Sequence, residues 1–265
     1  VGSEMCIRDR SCVVNMMYPN HNVSDEHIPS WFKDDPNRIG DFENYRAIIP
    51  PSGSAGLNGM RDWGIHLLSS SLPYSYDDNE FGATKEDYTA TLFHEYIHVV
   101  QSANLYTTES FVDEVNNTVR VGWGPTSMAE GAASYVNEFL LFTYIKEGKY
   151  EKSQSFNRKL RDVMRWKMEN VQGMLQNCPN FKLEDLNYGN VCSPYDFGAW
   201  GVAYLLNKID DHYAMQEIFW PNINDMGYYP AFEKTFGLTF DEFNNEFHEF
   251  LKLPIDDQLL IIPEL

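Results

Sequence analysis

The sequence predicts an α+β protein: a small N-terminal β-sheet, a pair of central helices, and a mostly helical C-terminal part. Three observations carry this expectation. Residues 11–60 are rich in turns, with Pro19, Pro29, Pro36, Pro50, Pro51 and the stretch PPSGSAGLNG, and short β-favouring runs sit among those breaks. From Thr84 onward, apolar residues recur at helical spacing. With 265 residues, 43% hydrophobic and 15% aromatic, the chain can bury a sizeable core.

The first ten residues, VGSEMCIRDR, resemble translated sequencing-adapter read-through of the kind found at the ends of metagenomic gene fragments. They are expected to be foreign to the natural protein, whose own N-terminus, with any signal peptide, would then lie upstream. YRAII (45–49) and WGIHLLSS (63–70) read as strands. TKEDYTATLFHEYIHVVQSANL, from Thr84, reads as a helix with Thr84 as N-cap and Asp87 three residues on. PTSMAEGAASYVNEFLLFTYIKEG reads as a second, opening at Pro125–Ser127 and stopping near Gly148. Further helices are expected at about 151–173, 196–209, 211–219 and 239–252, the last opened by a capping box of Thr239 and Glu242. The expected organisation is thus residues 11–150 as sheet and active-site helices, with 151–265 as a helical subdomain packed on the same catalytic domain.

Charge narrows the partners. There are 39 acidic residues against 20 basic, a formal charge of -19. That disfavours nucleic acid and anionic membrane surfaces, which are bound through Lys/Arg patches. No apolar run approaches the roughly 18–20 residues of a membrane span. The one basic cluster, Lys152, Arg158, Lys159, Arg161, Arg165 and Lys167, is expected to be a solvated helix face opposite Phe156, Leu160, Met164 and Val171, with an acidic partner as the alternative. Of four cysteines, Cys178 and Cys192 flank a polar loop. A disulfide there would contribute roughly 3 kcal/mol in the chain-entropy model and place the protein outside the cytosol; two unpaired thiols are the alternative.

The chemistry concentrates in LFHEYIHVVQ. His94 and His98 are four residues apart, so on a helix both imidazoles leave one face about a turn apart, with Glu95 beside the first. That is zincin geometry: two metal ligands and a carboxylate poised as general base. A buried histidine pair is the plainer alternative. Catalytic zinc needs a third protein ligand and an open fourth position. No histidine follows at the metzincin spacing. Glu130, in SMAEGAASY, is the candidate, because Ala129, Gly131, Ala132 and Ala133 would let its helix approach the first closely. A helix-dipole role for Glu130 is the competing explanation.

With these motifs the chain resembles the gluzincins, zinc peptidases whose third ligand is a glutamate on the helix after the histidine pair. LFHEYIHVVQ and MAEGAASYV are similar to the corresponding segments of collagenase-type and related secreted gluzincins. FEKTFGLTFDEFNNEFHEFL (232–251) is similar to their aromatic-studded helical tail. The resemblance covers roughly residues 55–252. SPYDFGAWGVAYLL (193–206) resembles the segment that supplies a catalytic tyrosine in the aminopeptidase-N branch, which implies that Tyr195 donates its phenol to the oxyanion. NGMRDWGI (58–65) resembles the aminopeptidase recognition segment. It carries Arg61 where that family has the glutamate that holds the substrate's amine, which favours an endopeptidase.

The implied protein is a secreted or periplasmic zinc metallopeptidase acting on peptide or protein substrates. Zn2+ would be held by His94, His98 and Glu130, with Glu95 as base and Tyr195 as oxyanion donor. The strand near Trp63–Ser70 would offer its edge to substrate. Ser134 is a possible support for the ligands, while His66 and His212 are expected to be structural or surface residues. A zinc hydrolase of a non-peptide bond and a non-catalytic binding module are the alternatives.

Overall fold

A helix with apolar side chains on nearly every face needs neighbours on several sides, and α2 (Thr126–Lys146) is such a helix. Met128, Ala132, Ala133, Tyr135, Val136, Phe139, Leu141 and Phe142 are all buried along it. The computed structural model describes residues 84–104 and 124–265, together with the backbone of four short strands at 54–57, 65–68, 110–113 and 118–121. α2 packs against α1 (Lys85–Ala103) and, over a longer contact, against α4 (Pro194–Lys208). Between α2 and α4 come α3 (Leu160–Leu175) and a 3-10 turn at Leu183–Asp185. A π-turn, Met215–Phe219, runs into α5 (Trp220–Met226), followed by α6 (Tyr228–Phe236), α7 (Phe240–Phe250) and the short α8 (Ile255–Gln258).

The expected α+β class with an N-terminal β-sheet is therefore corrected. Residues 84–104 and 124–265 are helices, turns and connections without a strand. The described strands form only two isolated antiparallel pairs, β1 (Ser54–Leu57) with β2 (Ile65–Leu68) and β3 (Ser110–Asp113) with β4 (Thr118–Val121). Four-residue ribbons of two strands cannot cover a buried helix. α2 is covered by helices instead. The chain divides between Thr84 and Lys85 into two units, with β1 and β2 in the first and α1 onward in the second. YRAII, Arg61 and the side chain of His66 lie outside the described residues.

The α2–α4 crossing is a contact of backbone on backbone. A Cβ on Gly131 would fall 2.1 Å from the carbonyl carbon of Gly198, and one on Gly198 would fall 1.8 Å from the Ser127 carbonyl oxygen. Only glycine at both positions allows that approach. Around it, α4 buries Phe197, Trp200, Val202, Leu205 and Leu206. The Trp200 indole donates to the Met164 carbonyl on α3 at 3.1 Å. α7 presents Phe240, Phe243, Phe247 and Phe250 at helical spacing, all buried, and Phe232 on α6 packs among them, its ring tilted at 54° and 4.9 Å from that of Phe240. The Thr239 box forms as expected: its hydroxyl accepts from the Glu242 amide at 3.2 Å, and its own amide donates back at 2.8 Å.

The later helices differ from expectation in several places; the one expected at 211–219 is the Met215–Phe219 π-turn running on through α5 to Met226. α3 starts at Leu160, not 151: Lys159 is extended and its amide donates to Asp162 Oδ2 at 2.8 Å, which sets the helix start there. α6 is an addition; Gly227 turns into it at φ 82°, and Pro230 sits in its first turn, where a missing N–H does no harm. The basic cluster is the solvated face expected: Lys152, Arg158, Lys159 and Arg165 are exposed, and Phe156, Leu160, Met164 and Val171 are buried. Arg158 pairs with Asp87, Arg161 with Glu264, Arg165 with Asp256 and Lys167 with Asp196. Cys178 and Cys192 form a disulfide, their Cα atoms 6.5 Å apart. Among the described residues no helix is long and apolar enough to cross a membrane.

Candidate metal centre

The four-residue spacing on α1 sends His94 and His98 from one face, and their Nε2 atoms stand 3.2 Å apart. Glu130, in the second turn of α2, meets them: its Oε2 lies 3.2 Å from each Nε2. His98 and Glu130 are buried, and His94 is partly so. These three residues can hold a metal ion.

The tautomer of His98 follows from its neighbour. The Gln101 amide nitrogen donates to the Ala129 carbonyl on α2 at 3.0 Å, which turns its Oε1 toward His98 Nδ1 at 2.8 Å. An amide oxygen only accepts, so Nδ1 carries the hydrogen and Nε2 turns its lone pair toward the cluster. One side chain thereby orients a ligand and ties α1 to α2. Ser134 reaches His94 Nδ1 at the limit of hydrogen bonding, 3.5 Å. Gln101 was legible three residues after His98 on the same helix face, though motif spacing alone does not single it out.

Glu130 has a further partner that the sequence does not announce. The Tyr188 phenol donates to its Oε1. Tyr188 comes from the loop between the two cysteines, and only the path of that loop brings it here. Tyr195, at the start of α4, stands with its ring 6.2 Å from that of His94 and 6.1 Å from that of Tyr188. Its neighbour Asp196 fastens this turn to α3 by accepting from Asn170 at 3.2 Å and Lys167 at 3.4 Å. The small residues beside Glu130 serve two neighbours: the Ala129 carbonyl accepts from Gln101 on α1, as a close approach there requires, and Gly131 admits α4. His212 lies apart from the ligands, stacked on Phe139 with centroids 4.8 Å apart.

Burial dominates the electrostatics. It raises the Glu95 carboxyl to about 7, with His98 pulling down and Glu130 pushing up. Burial also pushes the Tyr195 phenol up to about 12, helped by Glu130 and Glu95, so it keeps its proton to donate. Burial lowers His94 despite its bond to Glu130. For Glu130, burial is outweighed by the adjoining His94 and His98 rings and the Tyr188 hydroxyl, which hold it well below the usual carboxylate range. Two ring nitrogens and a carboxylate oxygen converge on one point, an arrangement that can hold a cation. In comparisons with known proteins, the chain matches no family model, no curated protein and no solved structure.

Proposed function

We propose that the protein is a zinc-dependent peptidase. The observation that carries this is the triangle of His94 Nε2, His98 Nε2 and Glu130 Oε2, with edges of 3.2 Å. Ligand atoms about 2.05 Å from a tetrahedral zinc stand ~3.3 Å apart, so the triangle fits without rearrangement. Two imidazoles and one carboxylate are also a donor set of catalytic rather than structural zinc, with one position left for water or substrate. A zinc ion bound there supplies Lewis-acid polarisation of a carbonyl and acidifies water near pH 7.

The chain's own residues supply the rest. Glu95, buried and next to His94, takes the proton of the attacking water and passes it to the leaving nitrogen. Tyr195 donates its phenol hydrogen to the carbonyl oxygen as charge builds there. The Cys178–Cys192 disulfide supports an oxidising compartment, where the substrate is an extracytosolic peptide or protein.

The test uses the full chain, wild type and Glu95→Gln, each loaded with zinc and given a complex peptide pool read by mass spectrometry. The expected result is one zinc per chain in both, with cleavage falling about 10²–10⁴-fold in the variant. Equal cleavage by both would remove Glu95 from the chemistry. Zinc binding without any peptide cleaved would move the assignment to another carbonyl substrate, and no zinc binding would end it.

A further inference from the structure

We infer that the loop closed by the Cys178–Cys192 disulfide is part of the metal centre, and that Tyr188 is a positioning residue holding Glu130 as a one-oxygen ligand. The inference rests on the zinc reading above. A glutamate has two oxygens, and a metal can take one or both. Here Oε2 faces the two histidines while Oε1 accepts the Tyr188 hydroxyl. A hydrogen bond to a carboxylate is among the stronger ones, and it directs Oε1 away from the histidine side. The fourth coordination position then stays open for water.

Tyr188 is 63% exposed, its ring stands 6.1 Å from that of Tyr195, and its phenol donates to Glu130. Its backbone, by contrast, is braced on both sides. The Asn187 amide donates to Asn190 Oδ1 at 2.8 Å, and the Gly189 amide to Asn187 Oδ1 at 3.0 Å. Earlier in the loop, buried Leu183 donates its amide to Asn244 Oδ1 at 3.1 Å and accepts at its carbonyl from Ser127, in the first turn of α2. The disulfide closes the ring across a separation of 14 residues. A loop anchored at its base and beside the ligand's own helix delivers one exposed tyrosine to one carboxylate oxygen.

The experiment measures metal affinity, not turnover. Wild type, Tyr188→Phe, the Cys178→Ser/Cys192→Ser pair and the triple variant are titrated with zinc against a competing chelator, and with cobalt, whose visible bands report coordination number. Tyr188→Phe is expected to bind zinc about 10–100-fold more weakly. Its cobalt bands should lose intensity as Oε1 joins the metal, while its metal-free unfolding stays cooperative, with a midpoint lowered only by the one hydrogen bond lost. The cysteine pair should weaken binding in the same direction, and Tyr188→Phe should add little on that background. Unchanged zinc affinity with an unchanged cobalt spectrum in Tyr188→Phe overturns the inference, even should the cysteine variants fail to fold. Failure of the wild type to bind either metal instead overturns the zinc reading on which it rests.

Discussion

α1 and α2 bring their ligands to one point by unlike means. On α1 the position of His94 relative to His98 is a local property, because any helix with that spacing sets the two imidazoles side by side. Glu130 has no such local guarantee. Its place depends on the Gly131–Gly198 crossing, on Ser127 bonding the Leu183 carbonyl, on Gln101 holding the Ala129 carbonyl, and on Tyr188. The histidine pair survives wherever α1 survives, whereas the glutamate's position belongs to the whole helix stack. Damage remote from the ligands should therefore reach the metal through α2 and not through α1.

The most severe way to break the α2 side is Gly198→Ala. Its Cβ would meet the Ser127 carbonyl oxygen at 1.8 Å and the Gly131 Cα at 2.8 Å, backbone atoms that cannot rotate away. The expected cost is about 3 kcal/mol or more, a fall in Tm of roughly 6–12 °C for a unit of this size, with zinc affinity reduced alongside. Wild-type melting of this variant would mean that the crossing is looser than described. Gln101 sharpens the comparison, because it serves both helices. Gln101→Leu should cost about 1–3 kcal/mol and weaken zinc about 10–100-fold. Gln101→Glu keeps an acceptor for His98 Nδ1 but loses the donor to Ala129. Calorimetry and zinc titration should then show the stability loss with most of the affinity restored.

The smallest effect lies where His212 stacks on Phe139, farther along α2, and should leave the metal untouched. Burial against Phe139 lowers its pKa despite the pull of Asp210 and Asp211. A histidine with a lowered folded pKa stabilises the fold above its ordinary value near 6.5 and withdraws that support as pH falls through it. Denaturation midpoints at pH 7.5 and 5.5 should thus drop more for wild type than for His212→Phe, which keeps the stack without the titration.

His94, Glu95 and His98 are legible in sequence because they sit within little more than one helical turn. Glu130 is legible as a candidate through its small neighbours, but only in part: Ala129 meets α1 as expected, while Gly131 makes room for α4, a partner 67 positions further along the chain. Tyr188 is illegible because nothing in LNYGNV marks the tyrosine, and only the folded loop points it at Glu130. The fold class fails for a related reason. Short β-favouring runs do predict strand backbone at 65–68, yet a pattern of residues does not show whether a ribbon gains a third strand. On α3 the run of basic residues extends the apparent helix, while the start is set later, where Asp162 accepts the amide of extended Lys159.

The paired glycines also restrict how this protein can change. With Gly131 and Gly198 in backbone contact, neither can acquire a side chain while the other stays in place, and adding one to both worsens the collision. Variation at these two sites is a joint event that demands a new spacing of α2 and α4, and Glu130 and Tyr195, each within three residues of the contact, would shift with it. A library randomised at both positions and selected only for folding should return glycine at each, even with the ligands already replaced.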